Sequence, residues 1–243
     1  MFFAHRVAEE SSVPYTCLNQ RHVIVARELA KPGKPSINNS RLIAQYCFTD
    51  KWYLKCIELH LTLHLSQCID PRVGGACRGS RVVNSVAYVN TALAHAHLWQ
   101  FALVTAQVDF ARMFASVEYA QLSNTLMYFG VPVEWRSVIL AQVAYNAFSI
   151  TTIRVDLYKG LVEGSPISVL LVGLLLTHFL ILLRASPTYK LYQVVLPGDD
   201  FQPPLELREI GWIDDWILHA DSIDSMMGLL TCGRRHLALS DGV

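Results

Sequence analysis

The sequence predicts an α+β fold in which an antiparallel sheet packs on helices. Three observations carry that prediction. Phe101 to Asp109, FALVTAQVD, has the β-branched and aromatic content of a buried strand and ends on a carboxylate. Leu207 to Ala220 reads as two short strands with Asp214 and Asp215 at the turn between them. Around these, apolar residues recur at helical spacing, as at 119, 122, 126 and 129.

With 243 residues the chain can bury one substantial core, and one unit with two lobes is expected. It is 52% hydrophobic and 16% charged, against roughly 25% charged in an ordinary soluble domain. Twenty basic residues balance twenty acidic ones, so net charge supplies no general attraction to nucleic acid. The N-terminus lacks the basic-then-apolar pattern of a secretory signal, and Glu9 and Glu10 follow early, which points to an intracellular protein. Six cysteines show no C-x-x-C pair and no zinc spacing, so they read as reduced thiols.

Along the chain, residues 1–20 are weakly patterned, 21–100 form a first lobe and 101–243 a second. Val23 to Ala26 reads as a strand, broken by the prolines and glycine of Lys31 to Pro35, and Arg41 to Ile43 resumes extended structure. Lys51 to Leu65 and Arg81 to Gln100 follow a helical pattern. After the strand at Asp109, Ser116 is placed to cap a helix that Gly130 and Pro132 stop. A helix over Val133 to Ala147, a strand over Phe148 to Arg154 and a glycine-bearing loop come next. Ser165 to Leu183 is nineteen residues without a charge. Its length suits a membrane span, and its apolarity suits equally a helix buried on nearly all sides, which is the reading preferred. Ser222 to Arg234 closes the chain as a helix.

Nucleotidyl transfer uses two divalent cations about 3.5–4 Å apart, held by oxygen ligands. One Asp at the end of a buried strand and an Asp pair on a neighbouring hairpin can meet that need. Asp109, Asp214 and Asp215 have those local settings. Val108 to Phe114 resembles the first palm motif of reverse transcriptases of the non-LTR retrotransposon type, an Asp followed five residues later by an aromatic. Ser116 to Leu126 with Gly130-Val131-Pro132 resembles that family's next helix and its ending. Lys159 to Ser168, KGLVEGSPIS, resembles the second motif, and Gly211 to Leu218, GWIDDWIL, the third. Lys31 to Arg41 and Gly74 to Gly79 resemble segments of the fingers, so the likeness runs over residues 23–235.

The resemblance implies a right-hand polymerase with fingers and palm and without a thumb. It implies RNA-directed DNA synthesis from deoxynucleoside triphosphates on an RNA template with a DNA or RNA primer. Asp109, Asp214 and Asp215 would be catalytic and bind two Mg²⁺ ions, with Mn²⁺ as an alternative. Phe114 would sit beneath the incoming sugar, Arg41 and Lys34 would contact the triphosphate, and Gly164 and Ser165 would let the backbone approach template and nucleotide. A nuclear location follows from the resemblance alone, and no obligate protein partner is evident.

Several positions depart from the family pattern. Glu163 stands where Gln is usual, Trp212 replaces Tyr or Phe, Leu42-Ile43 replaces Pro-Ile, and Ala115 replaces a second Asp. The chain also stops at Val243, soon after the third motif. The competing expectations are therefore an inactive, truncated retroelement remnant that keeps the palm fold with weak nucleic-acid binding, and a membrane-associated protein using 165–183. A second acidic pair, Asp199-Asp200, lies among Pro197, Pro203 and Pro204 and reads as a solvated turn without strands on either side. His60 and His64 are one helical turn apart but lack a third metal ligand.

Overall fold

The computed structural model describes residues 23–30, 40–46, 48–76, 79, 81–110, 112–144, 147–150, 153–156, 159–192, 194–198, 204–207 and 209–238. In chain order the described elements run β1 (Val23–Ala30), β2 (Ser40–Gln45), α1 (Phe48–Leu65), β3 (Val73–Gly74), α2 (Val82–Leu98), β4 (Val104–Asp109) and α3 (Met113–Ser116). They continue with α4 (Tyr119–Tyr128), α5 (Val133–Ala144), β5 (Ala147–Ile150), β6 (Ile153–Asp156), α6 (Ser168–Ala185) and α7 (Pro187–Leu191). The last are β7 (Val194–Leu196), β8 (Leu205–Leu207), β9 (Ile210–Trp212), β10 (Asp215–Ala220) and α8 (Ile223–Ala238). The fold is α+β.

The chain divides into two compact units, Met1–Leu65 with Arg112–Leu171 and Ser66–Ala111 with Val172–Val243. The region expected as palm-like, 101–243, contributes to both. The weakly patterned stretch 1–20 lies outside the described residues.

In the first unit a four-stranded sheet runs β2-β1-β5-β6, antiparallel except between β1 and β5. Where one strand was expected over Phe148 to Arg154, there are two, paired through Ile150 and Ile153. The β-branched run is long enough to fold back on itself and satisfy its own backbone groups. Helix α1 buries Leu54, Ile57, Leu61 and Leu65, the stripe its sequence spacing marks.

Helix α4 ends as its sequence indicates. Gly130 takes φ 74°, its N–H donates to the Met127 carbonyl at 3.0 Å, and the Val131 N–H donates to Leu126 at 2.9 Å. This is the Schellman stop, in which a left-handed glycine satisfies the helix's last carbonyls. The start of α4 differs from expectation: Ser116 ends α3, and Glu118 precedes α4 without a side-chain cap. Between them the Val117 backbone is extended, buried, and accepts the Gly160 N–H at 2.7 Å, so a tertiary bond outweighs the local cap.

The second unit holds a sheet in the order β3-β9-β10-β4 and a separate β7-β8 pair. The sheet is antiparallel across β9, β10 and β4, but β3 joins β9 in parallel. It is therefore mixed where an antiparallel sheet was expected, because a two-residue strand leaves no periodicity to read. Strands β7 and β8 flank the Pro197 to Pro204 segment, contrary to the expectation that its prolines exclude strands. Pro197 and Pro204 sit just beyond the paired residues and cost no ladder bond. Asp199 and Asp200 lie outside the described residues.

Most of α6 belongs to this unit. It is long and apolar enough to cross a membrane by length and composition, and 61% of it is buried within the protein. Leu171, Leu174, Leu176 and Leu180 are fully buried. Its buried Thr177 is satisfied on both sides: it donates to the Gly173 carbonyl at 2.8 Å and accepts the Asp70 N–H at 3.0 Å. A side chain at Gly173 would run into Ala76, so the missing Cβ lets the helix come this close.

Candidate functional site

Pairing of β10 with β4 places Asp215 directly opposite Asp109. Side chains alternate along strands, so Asp109, Gln107 and Thr105 share one face with Asp215, Ile217 and His219. The far end of that row is tied down, with Thr105 Oγ1 3.2 Å from His219 Nδ1. His219 is buried, which holds its pKa below the ordinary histidine value. The near end is open: Asp109 and Asp215 are exposed and Asp214 is half-buried.

Ile213 and Asp214 form the connection between β9 and β10, and Trp212 pairs with Asp215 across it. Ile213 has φ 50°. A β-branched residue rarely adopts that conformation, at a cost of about 1–3 kcal/mol. Positive φ at the first residue of a two-residue hairpin loop and not at the second, Asp214, is the type II′ pattern, which normally carries glycine there.

Three hydrogen bonds hold this turn against its strain. The Ile213 N–H donates to Gly74 at 3.1 Å, the Phe110 N–H donates to Asp214 at 2.9 Å, and the Trp216 indole donates to Ile213 at 2.8 Å. Phe110 meets Trp216 edge-on, with ring centroids 6.1 Å apart. Glycines make room for this packing. A Cβ on Gly211 would lie 2.4 Å from the Trp216 indole, and one on Gly74 would lie 2.6 Å from the Trp212 ring.

Asp109 and Asp215 offer hard oxygen donors from one sheet face. Among the described residues, no three or more His, Cys, Asp or Glu side chains are gathered closely enough to hold a metal ion. The register thus brings two predicted ligands to one face and the third to the adjoining turn, without assembling a closed cage. Magnesium is ordinarily bound by one or two carboxylates completed by water and substrate phosphates, so these residues fit such an ion only as a partial platform.

In the first unit, residues from two of the sequence motifs meet. Phe114, half-buried on α3, accepts the Leu161 N–H at 2.6 Å. Gly160 lies so close to Ala115 that an added Cβ would stand 2.9 Å from its carbonyl oxygen. Tyr119 donates to the carbonyls of Val143 and Gly160 at 3.2 and 3.1 Å in alternative directions of its hydroxyl. Burial, then the nearby Glu118 charge, push the Tyr119 phenol up to about 12. Lys159 reaches Glu118 at 3.1 Å in an exposed ion pair, a type that contributes little. Gly164 takes φ 95° and is exposed. Ser165 is buried, and its N–H donates to Val162 at 3.2 Å. Arg41 lies in β2 opposite Leu29, and Lys34 lies outside the described residues.

Phe110, Gly211 and Trp216 were not singled out as supports of the site. Their signal is a glycine placed across from tryptophan in a strand pair, which only the register reveals.

No protein-family model and no curated protein matches the sequence. Solved structures do share the fold. Telomerase from Candida albicans in complex with a TWJ fragment of telomeric RNA superposes with TM-score 0.61 at 11% identity, covering 93% of this chain and 42% of that one. Apo telomerase from Candida tropicalis gives TM-score 0.53 at 10% identity, covering 93% of this chain and 46% of that one. The chain therefore has a reverse-transcriptase-like fold and spans less than half the length of these neighbours.

Proposed function

We propose that this chain catalyses RNA-directed DNA synthesis, adding deoxynucleotides to a primer 3′-hydroxyl. The observation that carries the proposal is the register placing Asp215 opposite Asp109 with Asp214 in the adjoining strained turn, within a reverse-transcriptase-like fold. In this reading the second unit contributes the palm, and Asp109, Asp214 and Asp215 hold two Mg²⁺ or Mn²⁺ ions. The ions would supply activation of the primer hydroxyl and neutralisation of the triphosphate. Phe114 discriminates against a 2′-hydroxyl, Gly164 and Ser165 approach the nucleotide and template, and Arg41 and Lys34 contact phosphate. The RNA bound by the Candida albicans neighbour supports an RNA template here.

A second reading is an inactive retroelement remnant with the same palm. Glu163, half-buried where the resembling family carries Gln, favours it, since a carboxylate cannot replace an amide donor near bases or phosphates. Primer extension on an RNA template with Mg²⁺ or Mn²⁺ separates the two. Activity that falls at least a hundredfold in Asp214→Ala is the result expected for the polymerase. A folded wild-type chain with no synthesis leaves the remnant reading standing.

A further inference from the structure

Two arginines and two carboxylates form a neutral, partly buried network in the second unit. Glu209, 2% exposed, immediately precedes β9. Its carboxylate accepts Arg184 Nε at 2.6 Å, and also receives Arg184 Nη2 and the Tyr189 hydroxyl. The other end of the same guanidinium reaches Asp70 at 2.5 Å. Asp70 in turn takes Arg72 Nε and Nη2, both at 2.9 Å, and the Arg72 backbone N–H at 3.0 Å.

Arg184 thus grips one carboxylate before β3 and another before β9. These are the two rails of the parallel pair behind the acidic hairpin. From Asp70 the chain passes to Arg72, whose carbonyl accepts the Gly211 N–H at 3.0 Å, and to Gly74, whose carbonyl accepts Ile213 at 3.1 Å. The pair itself contains only Val73 with Gly211 and Gly74 with Trp212. Two residue pairs are too few to fix a register by themselves. The network's frame is set from α6 by the bond between the Asp70 N–H and Thr177.

We propose that Asp70, Arg72, Arg184 and Glu209 are positioning residues that fix the acid-bearing hairpin by clamping β3 and β9 at a common origin. This rests on the reading of Asp214 and Asp215 as the site, although the clamp itself can be observed without any activity. If the clamp acts locally, loosening it frees the β9 end of the hairpin while the rest of the unit stays closed.

The test is residue-resolved amide hydrogen exchange on the full chain, comparing wild type with Glu209→Gln. The expected result is that exchange at Gly211 and Ile213 speeds up at least tenfold more than exchange at the amides of α8. Unchanged exchange at Gly211 and Ile213, or an equal rise throughout the unit, overturns the proposal. Should Glu209→Gln fail to fold, Asp70→Asn loosens the other rail and is read in the same way. Collapse of both variants also overturns it, because a network the whole fold requires is not a local anchor. Primer extension forms a separate arm, where a clamp predicts a kcat at least tenfold lower with the nucleotide KM within twofold. An inactive wild type sinks the reading of Asp214 and Asp215, while the exchange result still decides the clamp.

Discussion

The second unit contains two groups of carboxylates in opposite circumstances. Glu209 is buried and Asp70 partly so, and each is met by guanidinium or phenol donors. Asp109 and Asp215 stand exposed, with a carboxylate facing a carboxylate across a strand pair and no basic residue among their register partners. Enclosed charge has to be paired at once by the protein. Exposed like charge can be tolerated because water screens it, and it stays available for a cation from outside. An acid's neighbours thus separate the carboxylates that build this unit from those free to act.

The largest expected effect tests the enclosed group. Arg184→Met leaves Glu209 and Asp70 without their shared cation, and loss of one partner from a buried ion pair typically costs about 3–5 kcal/mol. Urea unfolding should show it in the second unit; a loss under about 1 kcal/mol would contradict the pairing described.

Acid should break the same group next. Burial opposes the Asp70 charge, but hydrogen bonds from Arg72 and Arg184 outweigh it and hold the carboxyl down to about 2. Its folded pKa is therefore depressed, so its stabilisation is present above the ordinary carboxylate value and is lost as pH falls from there through about 2. The loss is on the order of 2 kcal/mol. Asp70→Asn should flatten the unfolding free energy across that acid window.

The exposed group should answer with the smallest change and the opposite sign. Asp109→Asn removes like-charge repulsion across the strands, so in metal-free buffer it should raise stability by up to about 1 kcal/mol. With added Mn²⁺ the wild type should gain stability and the variant should gain less, as read by thermal unfolding. Equal metal response in both would remove Asp109 from the ligand set.

Legibility in the sequence follows the range of the interactions. The strand ending at Asp109, the hairpin around Asp214 and the glycine stop after α4 rest on neighbours within a few residues, and all three are present. The fold-back of β5 on β6 is local, but its run of β-branched residues carries no turn signal to divide it. The two-residue β3 and the capless start of α4 depend on distant partners, and pattern alone misses them. The buried network was invisible for the same reason: Arg184 and Asp70 are 114 positions apart. Glu209 and Arg184 carried a faint signal as charges flanking apolar stretches, but nothing local said that they meet.

That separation along the chain also sets an order of events during synthesis. When α6 emerges, Thr177 and Arg184 can already reach Asp70, but Glu209 follows 25 positions later. Until it arrives, an eighteen-residue apolar helix waits with Arg184 lacking one of its two carboxylate partners and the strands β8 to β10 not yet made. An exposed apolar helix of this length is expected to be most adhesive during this interval. The ribosomal tunnel conceals the newest residues, so a pause made once this helix has cleared the tunnel and before residue 209 has done so should raise aggregation more than an equal pause made while the helix is still inside.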